Sequence, residues 1–243
     1  QIAIDDSRMW FGRDGNGVPR IKTYLDAKDR ALTPESIIFS EDVGTNESAK
    51  NALKELFDGR SVFDTPKPVN LIKLLIQLGV EDGMVLDFFA GSAATAQAVL
   101  SSNAEDGRKR NFALIQLPEA CNSNSDALAE GYFNITGIGK ERIRRAGKKI
   151  KEDYSESPAI GELDIGFRVL KIDSSNMKEV FYTPDAVSQD LLSYQVNNIR
   201  EDRTSEDLLF QVLLDWGVDL ALPITQESIS GKPVYFVDGN ALM

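Results

Sequence analysis

Residues 85–100 read VLDFFAGSAATAQAVL. An apolar run (Val85, Leu86, Phe88, Phe89) stops at Ala90-Gly91-Ser92 and passes directly into an alanine-rich stretch of high helix propensity. Strand, tight turn and helix start, in that order, are the arrangement in which backbone N–H groups and the positive end of a helix can face a ligand. The dinucleotide fingerprint needs a second glycine so that the backbone can close on a pyrophosphate. Here Ala93 takes that place and Ala96 takes the third. A pyrophosphate ligand is therefore disfavoured. S-adenosylmethionine (SAM) carries no phosphate and needs one close backbone approach, at Gly91. An ordinary βα turn of an α/β protein would show the same pattern, so this stretch alone leaves both readings open.

Outward from the turn, Pro66 and Pro68 bracket Lys67 and forbid a regular helix there, and Val69 to Leu78 forms an apolar helix closed by Gly79. Met84 to Phe88 is the first strand, Ala94 to Leu100 a helix, Glu105 to Arg110 a charged loop, and Phe112 to Leu117 a second strand ended by Pro118. That spacing predicts a βαβ unit with a parallel pair. A basic helix over 139–152 covers the sheet, and GFRVLKI, residues 166–172, reads as a third strand. Upstream, Asn46 to Phe57 is helical with Asn46 or Ser48 as cap, and Trp10 and Phe11 read as core anchors rather than base-stacking residues. Downstream, Ser205 to Trp216 is helical, capped by Thr204 or Ser205, with Leu208, Leu209, Val212, Leu213 and Trp216 along one face. Val234 to Val237 is a short strand.

FDTPKPVNLIKLLIQLGVEDGMVLDFFAGS, then KRNFALIQLPE, then GIGKERIRRAGKKI follow one another in the order seen in one group of enzymes. They resemble the SAM-binding half of DNA adenine methyltransferases, specifically the modification subunits of type III restriction–modification systems. The resemblance extends to MWFGRDGNGVPRIKTYL and VGTNESAKNALKELF at the start, and to GFRVLKIDSSN and DLLFQVLLDWGVDLALPI at the other end. It covers nearly the whole chain. The fold it implies is α/β: a partial Rossmann-like methyltransferase sheet with helices on both faces, plus a small C-terminal α+β appendage. Residues 1–60 are then the return from a target-recognition region, 61–175 the SAM-binding half, and 176–243 a C-terminal segment that could dock a subunit.

The cofactor-binding residues expected on this basis are Thr65, Lys67, Asp87, Phe88, Ala90, Gly91, Ser92 and Gln116. Asp87 ends the first strand, where its carboxylate can accept from the methionine ammonium or from N–H groups of the turn. Ser92 offers a hydroxyl and an N–H. Of Phe88 and Phe89, which alternate sides, one is expected in the core and one beside the ligand. The resemblance implies Gln116 at the ribose, in place of the usual acidic residue, with Glu119 as the fallback; an amide still donates and accepts but loses charge-assisted bonds. It also implies Thr65 and Lys67 closing over the methionine carboxylate.

The family transfers the methyl group with an Asp/Asn/Ser-Pro-Pro-Tyr/Phe tetrapeptide that holds a flipped adenine. This chain contains no Pro-Pro pair and begins with glutamine. It is expected to be the carboxyl-terminal part of a larger subunit, without catalytic residues of its own and inactive alone. The strand flanking the turn would then lack a neighbour, and its open apolar edge would be covered by another copy or lose order. DNA, a second modification subunit and the restriction subunit are the implied partners. The alternatives are a SAM-binding or interaction module without a transfer half, and a nucleotide-dependent oxidoreductase, which Ala93 disfavours.

Composition adds limits. With 243 residues and 42% hydrophobic content the chain can bury a core. No apolar run nears the ~20 residues that span a bilayer, the start lacks a signal-peptide pattern, and the single Cys121 suits a reducing cytoplasm. With no histidine, histidine bases and imidazole metal sites are excluded, and no metal is expected. The net charge of −11 opposes binding to DNA phosphates. The basic run Lys140, Arg142, Arg144, Arg145, Lys148, Lys149, Lys151 reads as the solvated arc opposite a stripe of Ile143, Ala146, Gly147 and Ile150. DNA would be gripped mainly by parts outside this chain.

Overall fold

The computed structural model describes residues 8–22, 34–156, 158–178 and 198–242. Stretches 23–33 and 179–197, inside the first and last segments expected from the sequence, lie outside the described residues. The chain divides into two compact units, Gln1–Ile165 and Gly166–Met243.

The centre of the first unit is a parallel pair, β3 (Gly83–Asp87) and β4 (Arg110–Leu114), in register from Gly83 opposite Arg110 to Asp87 opposite Leu114. Among the described residues β3 pairs with no other strand. Ahead of it stand a two-residue hairpin, β1 (Met9–Trp10) with β2 (Arg20–Ile21), and helices α1 (Ser40–Val43), α2 (Asn46–Leu56) and α3 (Val69–Gly79). The cap of α2 is Thr45, which forms a reciprocal capping box with Ser48. Trp10 and Phe11 are exposed and anchor no core, because the hairpin that carries them has only two residues in each strand.

Between β3 and β4 runs α4 (Ala94–Asp106), longer than expected because its charged end is still helical. It stops at Gly107, whose φ of +70° and N–H bonded to the Asn103 carbonyl form a left-handed cap. The helix is buried nearly all round, at Ala94, Thr95, Ala96, Ala98, Val99, Leu100, Ser102, Asn103 and Ala104. Small side chains on every face let it pack against α3 on one side and α6 (Ile135–Asp153) on another. Ile76 of α3, Ala98 and Val99 of α4, and Val85 and Phe112 of the strands make one core cluster. A second joins Leu53, Phe57, Val62, Ala127 of α5 (Asp126–Ala129) and Ile138 of α6.

The helices cover the Val85 face of the sheet. On the opposite face Met84 is 56% and Leu86 51% exposed, so the expected cover on both faces is absent among the described residues. No described helix is long and apolar enough to cross a membrane.

After a 3-10 turn, Pro158–Glu162, the second unit begins with Gly166–Ile172. Among the described residues this is not the third strand: none of it pairs as a strand there, and Val169, Leu170 and Ile172 are exposed. Arg168 instead donates to the carbonyls of Leu220 and Leu222 (2.5 Å to the latter). Helix α7 (Ser205–Asp215), capped by Thr204, packs Leu209 and Leu213 against Val237, Val218, Leu222 and Ile224. The partner surface is an antiparallel sheet of β5 (Ile224–Ile229), β6 (Lys232–Val237) and β7 (Asn240–Leu242). The Leu209/Leu213 stripe is therefore internal core, while Trp216 and Leu214 are exposed.

Candidate functional site

The chain leaves β3 at Asp87 and turns through Phe88–Ala93 into α4. Ladder bonding continues one step past the strands, with the Ile115 N–H to the Asp87 carbonyl (2.9 Å) and the Ala90 N–H to the Ile115 carbonyl (3.1 Å). The turn then closes on itself. Phe89 N–H donates to Asp87 Oδ1 (3.1 Å), Gly91 N–H to Gln116 Oε1 (2.7 Å), and Ala93 N–H to the Ala90 carbonyl (2.7 Å). The second Asp87 oxygen accepts from the Thr95 hydroxyl in the first turn of α4 (2.5 Å). Two residues are left-handed: Gly91 at φ +51° and, less comfortably, Ala93 at φ +62°.

Helix α6 supports the turn from the protein side. Its Gly139 faces the turn: a Cβ there would lie 3.4 Å from the Ala93 Cβ and 3.5 Å from the Gly91 carbonyl oxygen, ordinary contact distances. One turn further on, Arg142 is 2% exposed. Its Nη1 donates to Ser92 Oγ (2.7 Å) and to the Ser92 carbonyl (3.4 Å), and its Nε to Gln97 Oε1 (2.8 Å). Burial pulls its pKa down to about 10, so it remains charged at neutral pH. Arg142 therefore does not lie on the solvated arc of the basic helix. Its i±4 neighbours Ile138 and Ala146 are buried, and that spacing was the available signal.

The other expected residues divide. Asp87, Ala90, Gly91, Ser92 and Gln116 come together at the carboxyl end of the parallel pair. Asp87 takes the turn-stabilising option with both oxygens, and Gln116 uses its oxygen on the turn and its Nε2 on the Leu117 carbonyl (3.1 Å). Phe88 is exposed and Phe89 is 89% exposed; neither is core, because the chain has already left the sheet. Thr65 and Lys67 are exposed and alternate with the buried Pro66 and Pro68. The loop they belong to reaches the turn through Phe63, whose Cζ would lie 3.5 Å from a Cβ on Gly91. The Gly91 Cβ direction thus faces a phenyl ring, not open space. Thr95, Gln97, Gly139, Arg142 and Phe63 were not among the expected residues. Among the described residues no acidic or cysteine cluster could hold a metal.

Comparison with known proteins gives the family. Residues 7–157 match the sequence profile of the N6/N4 DNA methylases, described as DNA methylase. The chain is 38% identical over 169 residues to the Mod subunit of the type III restriction-modification enzyme StyLTI of Salmonella typhimurium, a match covering 69% of this chain and 25% of that protein. It is 33% identical over 213 residues to the Mod subunit of the EcoPI enzyme of Escherichia phage P1, covering 85% and 31% respectively. It is also 33% identical over 133 residues to the type II methyltransferase M.KpnI of Klebsiella pneumoniae, covering 53% and 30%. The chain spans about a quarter to a third of the length of these relatives. With the profile covering more than half of its residues, and the strand–turn–helix unit inside the matched region, the chain belongs to the DNA methylase family.

Proposed function

We propose that this chain is the SAM-binding part of a site-specific DNA adenine-N6 methyltransferase of a type III restriction–modification system. One observation carries the choice of ligand. The N–H groups of Phe89, Ala90, Gly91 and Ala93 are all bonded inside the protein, so the turn offers a phosphate few free donors. A phosphate-free ligand needs none of them. Each Asp87 oxygen has one donor in the protein and keeps acceptor capacity for an ammonium or hydroxyl group. Phe88 and Phe89 stand exposed beside it, as an adenine or thioether neighbour requires. These residues fit SAM, which would supply a sulfonium-activated methyl group.

Asp87, Phe88, Ala90 and Gly91 would line the ligand, with the buried Ser92 behind them, its hydroxyl held by Arg142. Gln116 would border the ribose while holding the Gly91 N–H, and Thr65 and Lys67 would close over the carboxylate from the loop behind Phe63. With no Pro-Pro-aromatic motif, the chain supplies binding without the groups that hold the target amine. Methyl transfer, recognition of DNA and association with a second modification subunit and a restriction subunit then belong to the assembled cytoplasmic enzyme.

Calorimetry of the purified chain with SAM and its demethylated product, beside NAD and ATP, tests the ligand; tighter binding of NAD or ATP sinks the reading. Tritiated methyl transfer to mixed-sequence DNA should stay at background. Transfer that Asp87→Ala abolished would reveal a catalytic motif within this chain.

A further inference from the structure

We infer that Arg142 is a positioning residue for the Phe88–Ala93 turn: its guanidinium clamps Ser92 and Gln97 together and so presets the left-handed backbone at Gly91 and Ala93. The relevance to ligand binding rests on the function proposed above; the clamp itself rests on geometry.

The buried charge has no structural economy to recommend it. Its bonded partners in the described residues are a hydroxyl, a carbonyl and an amide, all neutral, and no ion pair involves it. Burying a cation without a counter-charge is costly, and a methionine or leucine would fill an interior position more cheaply. What an apolar side chain cannot do is hydrogen-bond to both the turn and the helix that follows it. Ser92 is the last residue but one before α4, and Gln97 lies in the first turns of the helix. The fork of Arg142 therefore straddles the junction where Ala93 is left-handed. A non-glycine residue in that region costs of order 1 kcal/mol and persists only when its surroundings over-determine it. Charge-assisted bonds from Arg142 to Ser92 on one side and to Gln97 on the other supply that determination. Phe63 bounds the turn near Gly91. The turn is thus held by side chains from α6 and from the loop before α3, leaving Phe88 and Phe89 outward.

Residue-resolved amide hydrogen exchange on the whole chain separates a clamp from a mere core residue. The readings are the protected turn amides of Phe89, Ala90, Gly91 and Ala93 against the strand amides of Val85, Leu86, Phe112 and Ala113. In Arg142→Met, which keeps the apolar stem, turn exchange should rise about tenfold, the worth of one charge-assisted bond, while strand exchange stays within about twofold. Ser92→Ala should raise the same amides by less, and add nothing in the double variant. Arg142→Lys, which keeps charge but cannot reach both partners, should fall between. Equal acceleration of turn and strands, or no change in the turn, overturns the assignment. Should Arg142→Met fail to fold, Ser92→Ala and Arg142→Lys read the same amides and decide. Titration of SAM into the same proteins adds the functional arm: affinity should fall in step with turn exchange. A wild-type chain that binds no SAM refutes the proposed function, whereas the exchange pattern still upholds or refutes the clamp.

Discussion

At the residue scale the turn is governed by backbone conformation more than by open space. Gly91 sits at φ +51°, where a side chain costs about 1–2 kcal/mol whatever surrounds it. A methyl group placed there would meet the Phe63 ring at 3.5 Å, an ordinary contact. Gly91→Ala should therefore lose about 1–2 kcal/mol in denaturant unfolding, and Gly91→Val more, since branching aggravates the left-handed strain. An unchanged midpoint in both variants would show that the turn adapts freely. The sequence marks Gly91 for a close backbone approach; the structure gives it instead a left-handed conformation that no other residue supplies cheaply. Arg142 is not marked in the sequence, because six neighbouring cations hide one that lies on the apolar stripe. Local pattern identifies the residue that bends the chain; the residue that holds the bend comes from 50 positions away.

At the element scale, helix ends and helix contacts decide. The sheet pair, α3, α4, α6 and α7 were legible in periodicity and turn residues, whereas GFRVLKI was not a strand despite its composition. Apolar alternation signals a strand only if a neighbour offers its edge, which sequence does not display. The charged end of α4 was hidden for a related reason. Arg110 reaches back to Asp106 with two bonds (2.8 and 3.1 Å), and also donates to the Val80 carbonyl (2.8 Å), tying helix, strand and loop together. The Arg110 bonds hold the Asp106 carboxyl below its ordinary value, outweighing the rise from burial. Its stabilisation is therefore complete above the unfolded value of about 4 and fades as pH falls through the folded one. Asp106→Asn should be less stable than wild type at pH 7, with the gap narrowing in urea titrations as pH falls below that unfolded value. A gap independent of pH would deny the pair that role. Close approach on α6 gives a second test. Ala in place of Gly139 would make ordinary contacts and gain up to about 1 kcal/mol of helix propensity. At Gly147 the new Cβ would lie 3.0 Å from the Ile165 Cβ, so Gly147→Ala should lose stability instead. Equal melting shifts for the two would contradict this packing.

At the scale of the whole molecule, charge and exposed surface must be reconciled with a family whose substrate is DNA. The net charge of −11 repels phosphates, and the basic helix does not offset it. Arg142 is buried, Arg145 is committed to Asp58 (2.6 Å) and Glu141 (2.9 Å) and stacks on Phe57, and Lys149 pairs with Glu55 (3.1 Å). Arg144 and Lys148 lie near Glu141 and Glu152 at 3.7 and 4.0 Å. Such exposed pairs are individually weak, but they place a carboxylate beside Arg144, Arg145, Lys148 and Lys149 that a phosphate would have to displace. A phosphate-binding surface needs the opposite, cations whose mobile counter-ions are released on contact. The isolated chain should therefore bind duplex DNA more weakly than about 10⁻⁴ M at physiological salt, the weak end of ordinary non-specific binding. Fluorescence anisotropy with a labelled duplex, repeated from 50 to 200 mM salt, measures both affinity and slope. Micromolar binding with a steep salt dependence, lost in Arg144→Gln/Lys148→Gln, would assign the DNA contact to α6 and reverse this conclusion. The expected flat, weak response fits the function proposed above, in which this chain offers the turn at Gly91 and not the main DNA contact.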